Sequence, residues 1–419
     1  MSDIYTYFYE KSWDILKDGG FSCFISSNKW MRAKYGEKLR EFLKSKSSIV
    51  DIIDFGGHKV FESATVDTNI ILFQKLKRAD VSSCLTAVTS SNTINALNIQ
   101  ADFNKEYDLC DYFKNNGLEV KQASLDINCF TFGSDAVMNL KAKIEKIGTP
   151  LKDWDMKIYY GIKTGLNEAF IIDTAKREEI LNSAGTEEER QMTEEIIKPI
   201  LRGRDIDKYS YKWADKWVIG IPAGWTNDNN VDKKNPEEFF KETCSPLYEY
   251  LNKYKEHAKK RDDQGDYWWE LRPCAYYIEF EKEKIVWQEI VREPSFTFDN
   301  TGIYCEATTF IMTSENLKYL LGLLNSKPVS FFFKNYYAGG GLGKDGYRYK
   351  KTFLQDIPIP KISIEQQKLF IDLVDKILQV KAENQNANTT DLERQIDKLV
   401  YKLYELTEDE IKIIQENIR

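Results

Sequence analysis

The chain has 419 residues, of which 42% are hydrophobic and 30% charged, a globular composition that excludes a largely disordered protein. That length exceeds what one ordinary core fills and predicts roughly two to four domains. A net charge of -7 argues against a uniformly basic nucleic-acid coat but leaves room for one basic face.

No run of about 18 apolar residues occurs, and the opening residues, with Asp3 and Glu10, form no signal core. The expectation is a soluble, cytoplasmic protein with no membrane partner. The seven cysteines (Cys23, Cys84, Cys110, Cys129, Cys244, Cys274 and Cys305) are scattered without a C-x-x-C pair and read as buried thiols of a reducing compartment. Two histidines, His58 and His257, with no cysteine nearby, argue against a zinc site and against histidine-based catalysis.

In chain order, Ser2 or Asp3 can cap a helix running to about Lys17, which Gly19 and Gly20 end. A buried strand follows at Phe21 to Ile25, then a helix from about Trp30 to Lys44, then strands at Ile49 to Phe55 and Asn69 to Phe73. Alternation of this kind suggests a layered α/β unit over residues 1–76, and three strands are few for one. Residues 77–147 read as a connector or insertion, with a strand-like piece at Cys84 to Val88 and an amphipathic helix over Asp135 to Ile147. From 148 to 361 short strands and aromatic clusters suggest an α+β domain, with strands at Ala169 to Ile172, Trp217 to Ile221, Lys284 to Trp287 and Thr308 to Met312, and a helix at Asn316 to Leu324. Most of its tryptophans are expected in the core. Residues 362–419 read as a helical hairpin whose role is packing or dimerisation, with capping-box spacing at Ser363 and Gln366, Thr390 and Glu393, and Thr407 and Glu410.

Three stretches carry binding chemistry. Between Tyr336 and Pro360, the hinge Gly339-Gly340-Gly341 precedes Lys344, Arg348, Lys350 and Lys351, interleaved with Tyr347 and Tyr349. Such a loop can neutralise phosphates while its tyrosines pack on sugars or bases; the alternative is a solvated surface loop. It is no phosphate-binding P-loop, because Asp345 follows Lys344 where Ser or Thr is needed. In YGIKTGLNEAFIID, Gly161 and Gly165 frame Lys163 and Thr164, and Asn167 follows, which suits hydrogen bonding to phosphates and base edges. In ILRGRDIDKY, Arg202 and Arg204 flank Gly203, either as contacts or as a surface salt-bridge turn with Asp205 and Asp207. No paired-carboxylate or metal-nuclease array stands out.

Taken in order, DIYTYFYEKSWDILKDGGFSCFISSNKW, LREFL, IIDFGGHKVFESATVDTNIILFQK, YYGIKTGLNEAFIID, ILRGRDIDKY, EKEKIVWQEI, LLGLLNSKP and YRYKKTFLQDIPIP resemble the downstream half of TaqI-like adenine-specific DNA methyltransferases, including fused restriction-modification enzymes. The resemblance spans nearly the whole chain. It implies an α/β fold: a partial Rossmann-like methyltransferase sheet over 1–76, an α+β target-recognition domain over about 148–361 and a C-terminal helical hairpin. It makes Lys163, Thr164, Asn167, Arg202, Arg204, Lys344, Tyr347, Arg348, Tyr349, Lys350 and Lys351 candidate contacts to double-stranded DNA.

Members of that family hold S-adenosylmethionine with a Gly-rich strand-turn-helix and grip a flipped adenine with an Asn/Asp-Pro-Pro-Tyr/Phe motif; neither occurs in this sequence. The chain alone is therefore expected to bind no cofactor, to contain no catalytic residue and to be unable to methylate DNA. An incomplete sheet would expose an apolar edge. A methyltransferase partner chain could cover it, as in a split enzyme; so could a second copy in a homodimer; or the chain is a piece of a longer protein. A non-catalytic interaction scaffold is the remaining reading.

Overall fold

A computed structural model describes residues 3–56, 58, 60–61, 66–76, 92–99, 103, 106–127, 129–130, 132, 135–338 and 346–416. The three expected strands form as β1 (Phe21–Ser27), β2 (Ser47–Asp54) and β3 (Thr68–Lys75). Two more, β4 (Thr93–Asn98) and β5 (Leu118–Lys121), join them in the order β1-β3-β2-β4-β5. β3 runs antiparallel to both β1 and β2, whereas β4 is parallel to β2. The stretch read as a connector thus completes a five-stranded sheet. Its strands were hard to see because they are short and irregular: β4 buries Ile94, Ala96 and Leu97, which breaks a strict alternation, and β5 buries only Val120. Cys84 to Val88 lies outside the described residues.

The helix Tyr5–Ile15 covers one face of this sheet, with Tyr9 stacked on Phe24 at 5.0 Å. Asp3 supplies no side-chain cap to it. The second helix starts at Glu37, later than expected, because Asn28–Met31 and Lys34–Gly36 form tight 3-10 turns. Gly36 permits this: a Cβ there would come within 2.0 Å of the Trp30 carbonyl. On the other face the helix Leu109–Asn116 contributes to a small cluster around Ile53, Phe55, Leu97 and Ile99. That cover stops short of β1, where Phe21, Cys23 and Ile25 are exposed and the outer backbone edge has no strand beside it among the described residues.

The helix Asp135–Ile147 forms where expected. After it come β6 (Thr149–Pro150), β7 (Met156–Tyr160), β8 (Ile171–Asp173), β9 (Ile197–Leu201), β10 (Ile206–Asp207), β11 (Ser210–Tyr211) and β12 (Lys216–Ile219). Further on lie β13 (Lys284–Gln288), β14 (Ile290–Val291), β15 (Phe296–Asp299), β16 (Tyr304–Cys305), β17 (Thr309–Ser314), β18 (Tyr347–Arg348) and β19 (Pro358–Ile359). They build two small sheets, β16-β9-β12-β8 and β15-β13-β17-β7, and the pairs β10-β11, β14-β18 and β19-β6. The result is a mixed α/β molecule with several small sheets. The strand expected from Ala169 instead begins with the helical turn Asn167–Phe170, since the Thr164 hydroxyl bonds Asn167 and curls the chain. Trp269 and Trp287 lie in the core, as anticipated.

Three helices close the chain: Ile364–Glu383, Thr390–Leu403 and Glu408–Glu416. The capping boxes at Ser363 and Gln366 and at Thr407 and Glu410 form; in the middle helix Thr389, one residue before the expected cap, bonds Glu393 at 2.7 Å. Phe370, Val374, Ile377, Ile396, Val400 and Ile414 share one buried cluster with the helix Leu317–Leu324 and with β13, β15 and β17. The tail therefore packs onto its own chain. The expectation of uniformly buried thiols is corrected: Cys244 and Cys305 are buried, but Cys23 and Cys110 are exposed, Cys23 because it sits on the uncovered face of β1. Among the described residues no helix is long and apolar enough to cross a membrane.

Candidate functional site

The strand β13 is the part on which the three sequence motifs converge. Its first residue, Lys284, is fully buried and paired with the equally buried Asp299 of β15. Lys284 also donates to the Phe280 carbonyl at 2.6 Å, so the charge is satisfied on two sides. Ile285, Val286 and Trp287 fill the core, and the chain then emerges at Gln288 and Glu289. Gln288 faces one motif pair and Glu289 holds the third.

On the Gln288 side, the turn at 161–167 and the turn at 202–205 meet across a cleft of about 560 Å³, walled by Asn167, Arg204, Lys216, Gln288, Glu306 and Thr308 among others. Gly161 lets the first turn approach, because a Cβ there would fall 1.9 Å from the Glu306 carbonyl oxygen. Gly165 takes φ +68°, a conformation that favours glycine. Thr164 is buried; its hydroxyl donates to Asn167 Oδ1 at 2.5 Å and accepts from the Leu166 N–H. Asn167 Nδ2 in turn donates to Glu306 Oε1 at 2.9 Å. Beneath the turn lies Arg261, which donates to the carbonyls of Thr164 (2.6 Å), Trp268 (2.7 Å) and Glu270 (2.9 Å) with its guanidinium over the Phe170 ring. Burial pulls its pKa down to about 10.

In the second turn the two arginines part company. Arg202 grips Asp205 through Nε and Nη2 at 2.9 and 2.6 Å, and that carboxylate holds it above the usual guanidinium range. Arg204 and Lys163 are exposed and Lys216 is half-buried, and none of the three makes an ion pair among the described residues. Gly203 presses between the walls: a Cβ would lie 2.9 Å from Gln288 Cγ and 3.1 Å from Thr308 Oγ1.

On the Glu289 side, the segment after Gly346 is a strap and less free than its sequence suggested. Tyr347 and Arg348 pair with Val291 and Ile290, and the Tyr349 N–H donates to the Glu289 carbonyl at 2.7 Å. Lys350 forms an ion pair with Glu289 at 3.1 Å. Tyr349 is core: its ring stacks on Phe333 at 4.1 Å, 1% of it is exposed, and a base cannot reach it in this conformation. Tyr347 and Arg348 are half-buried and Lys351 is exposed, its ammonium donating to the Ile158 carbonyl at 3.2 Å. Lys344 and the glycine hinge lie outside the described residues.

Sequence reasoning missed Gln288, Glu306, Lys216 and Arg261. Gln288 had a faint signal as the first uncharged polar residue after the apolar run IVW. Arg261 had none, since KKRDD reads as a solvated charge run.

Residues 198–359 match a family model described as a TaqI-like C-terminal specificity domain, which takes in Arg204, Lys216, Gln288, Glu306 and the strap. Residues 1–61 match the Eco57I restriction-modification methylase model. The chain is 21% identical over 436 residues to the Type II methyltransferase M.BstVI of Geobacillus stearothermophilus, covering 99% of this chain and 69% of that protein. It is 22% identical over 424 residues to M.BanIII of Aneurinibacillus aneurinilyticus, covering 92% and 69%. Among solved structures, the Type IIL restriction-modification enzyme MmeI, in complex with DNA, gives a TM-score of 0.57 at 13% identity over 99% of this chain, a likeness of fold. The chain spans 52% of the length of MmeI. Along essentially its whole length, then, this chain is similar to Type II methyltransferases of restriction-modification systems and carries a region similar to their specificity domain.

Proposed function

We propose that the chain binds double-stranded DNA in a sequence-specific way, as the target-recognition portion of an adenine-specific DNA methyltransferase in a restriction-modification system. The observation that carries this reading is the cleft beside Gln288: Arg204 and Lys216 line its polar wall within the specificity-like region, Lys163 stands on the turn that carries Asn167, and none of the three has an ion-pair partner among the described residues. Lys163, Arg204, Arg348 and Lys351 take the roles of phosphate or base contacts, with Tyr347 beside them and Asn167 at the rim. Thr164, Arg202 and Lys350 act through the shape of the turns and strap they hold. Fluorescence anisotropy on duplex DNA across a salt series tests the reading. Affinity should fall steeply with salt, and Lys163→Ala, Arg204→Ala or Lys351→Ala should each reduce the log-log slope by about 1. Absence of duplex binding, or salt-independent affinity, overturns it.

A second reading is favoured by one observation, the uncovered edge and exposed face of β1 together with exposed Tyr7 and Phe8 on the neighbouring helix. In it the chain is a subunit of a split methyltransferase, completed by a partner that supplies the S-adenosylmethionine and Asn-Pro-Pro-Tyr motifs. The residues present do not fit that cofactor. The carboxylate at the end of β2, Asp54, is bonded to Asn28, Arg32 and the Gly56 N–H, and no step of methyl transfer is drawn through this chain. Co-purification with a protein bearing the missing motifs, and methylation by the pair alone, would support it; no methylation by the mixture counts against it.

A further inference from the structure

The cleft contains two carboxamides, and their bonding separates their roles. Asn167 is committed on both sides: its oxygen accepts from Thr164 and its nitrogen donates to Glu306. Gln288 makes no side-chain hydrogen bond among the described residues; its Cγ lies over Gly203, whose missing Cβ leaves it room, and the hydroxyl of its neighbour Thr308 is likewise unbonded there. Its backbone is fixed as well, since β13 is paired on both edges and Gln288 lies opposite Thr309. An amide carried on a paired strand, with donor and acceptor both unused among the described residues, matches the N6 amino group and N7 of adenine in the major groove. The flanking cations Arg204 and Lys216 suit the phosphates on either side.

We propose that Gln288 is a specificity-determining residue that reads the major-groove edge of one adenine in the target, a role resting on the DNA-recognition reading above. Asn167, one of the contacts the sequence pointed to, positions the wall instead.

The test uses the full chain and a pool of duplexes randomised over a central window, with bound sequences compared between wild type and variants. Gln288→Ala should relax preference at one position by roughly 5- to 150-fold, the discrimination of one bidentate pair, and leave the other positions intact. Gln288→Glu should shift that position toward cytosine, whose N4 amino group a carboxylate accepts. Gln288→Glu, close in size to the wild-type side chain, guards against a misfolded alanine variant, with circular dichroism confirming the fold of each. Uniform weakening at all positions, or an unchanged preference, in a folded variant overturns the assignment while leaving DNA recognition standing. A wild-type chain that binds the pool without preference overturns recognition itself, and the assignment with it.

Discussion

The sheet β1 to β5 and the sheet built on β13 are made of similar apolar strands, yet among the described residues only the second is closed by its own chain. Around β13, Ile285, Trp287, Phe296 and Phe310 are sealed by the helix Leu317–Leu324 and the C-terminal helices. At β1, Phe21 remains 55% exposed and Ile25 46% exposed on a strand whose outer edge has no partner among the described residues. Burial decides what the same side chain contributes, so the first sheet has an interface left to make and the second has a rigid frame on which to hang a site.

Truncating one phenylalanine in each sheet should give the largest contrast between them. Phe310→Ala should destabilise by about 3–5 kcal/mol in urea unfolding, through lost burial and a cavity. Phe21→Ala should stay within about 0.5 kcal/mol in the isolated chain. A large loss for Phe21→Ala would mean that something already covers β1. Next in size, Lys284→Met strands Asp299 without its partner and should cost about 3–5 kcal/mol, while the double change Lys284→Met with Asp299→Leu should recover much of that. Failure to recover would show that Tyr211 and Thr301, which also bond Asp299, need the carboxylate more than Lys284 does.

Between the turns of the cleft the expected effects diverge by role. Arg202→Ala removes a double hydrogen bond to Asp205, which is itself 5% exposed at its side chain, and should cost about 1–3 kcal/mol of stability. Arg204→Ala should leave stability within about 0.5 kcal/mol and act on DNA affinity alone. Equal losses of stability from both would remove the distinction between a residue that shapes the turn and one that faces outward.

Legibility of the sequence followed the length and burial of each element. The runs at β2 and β3, the helix Asp135–Ile147 and two of three capping boxes were plain because local pattern and tertiary burial agree there, whereas β1 forms where its apolar run predicts but is not the buried strand expected. β4 and β5 were not plain, since strands of six and four residues that bury three side chains and one carry little periodic signal. The candidate site was half legible. The glycine turns at 161–165 and 203 announced close approaches, but their partners, Glu306 and Gln288, are far off in the chain and only the fold brings them together. Residue type also misled at Tyr349 and Arg202, where an aromatic and a cation that could face a ligand instead face the protein.

The smallest effect bears on how the closed region is fastened. Lys208, just after β10, pairs with Glu393 of the helix Thr390–Leu403, tying the small sheets to the tail. Burial pushes the Glu393 carboxyl up, but the Lys208 ammonium and the Thr389 hydroxyl outweigh it and hold the pKa below its ordinary 4.5. A depressed carboxyl stabilises the fold above the unfolded pKa and loses that contribution as pH falls through the folded value. Both side chains remain partly exposed, so solvent screening limits the pair to about 0.2–1 kcal/mol at neutral pH. Glu393→Gln should therefore be slightly less stable than wild type at pH 7, with the gap closing as urea unfolding is repeated toward about pH 3. A gap that persists in acid would assign the fastening to the packing of the Glu393 stem against its neighbours, with no part for its charge.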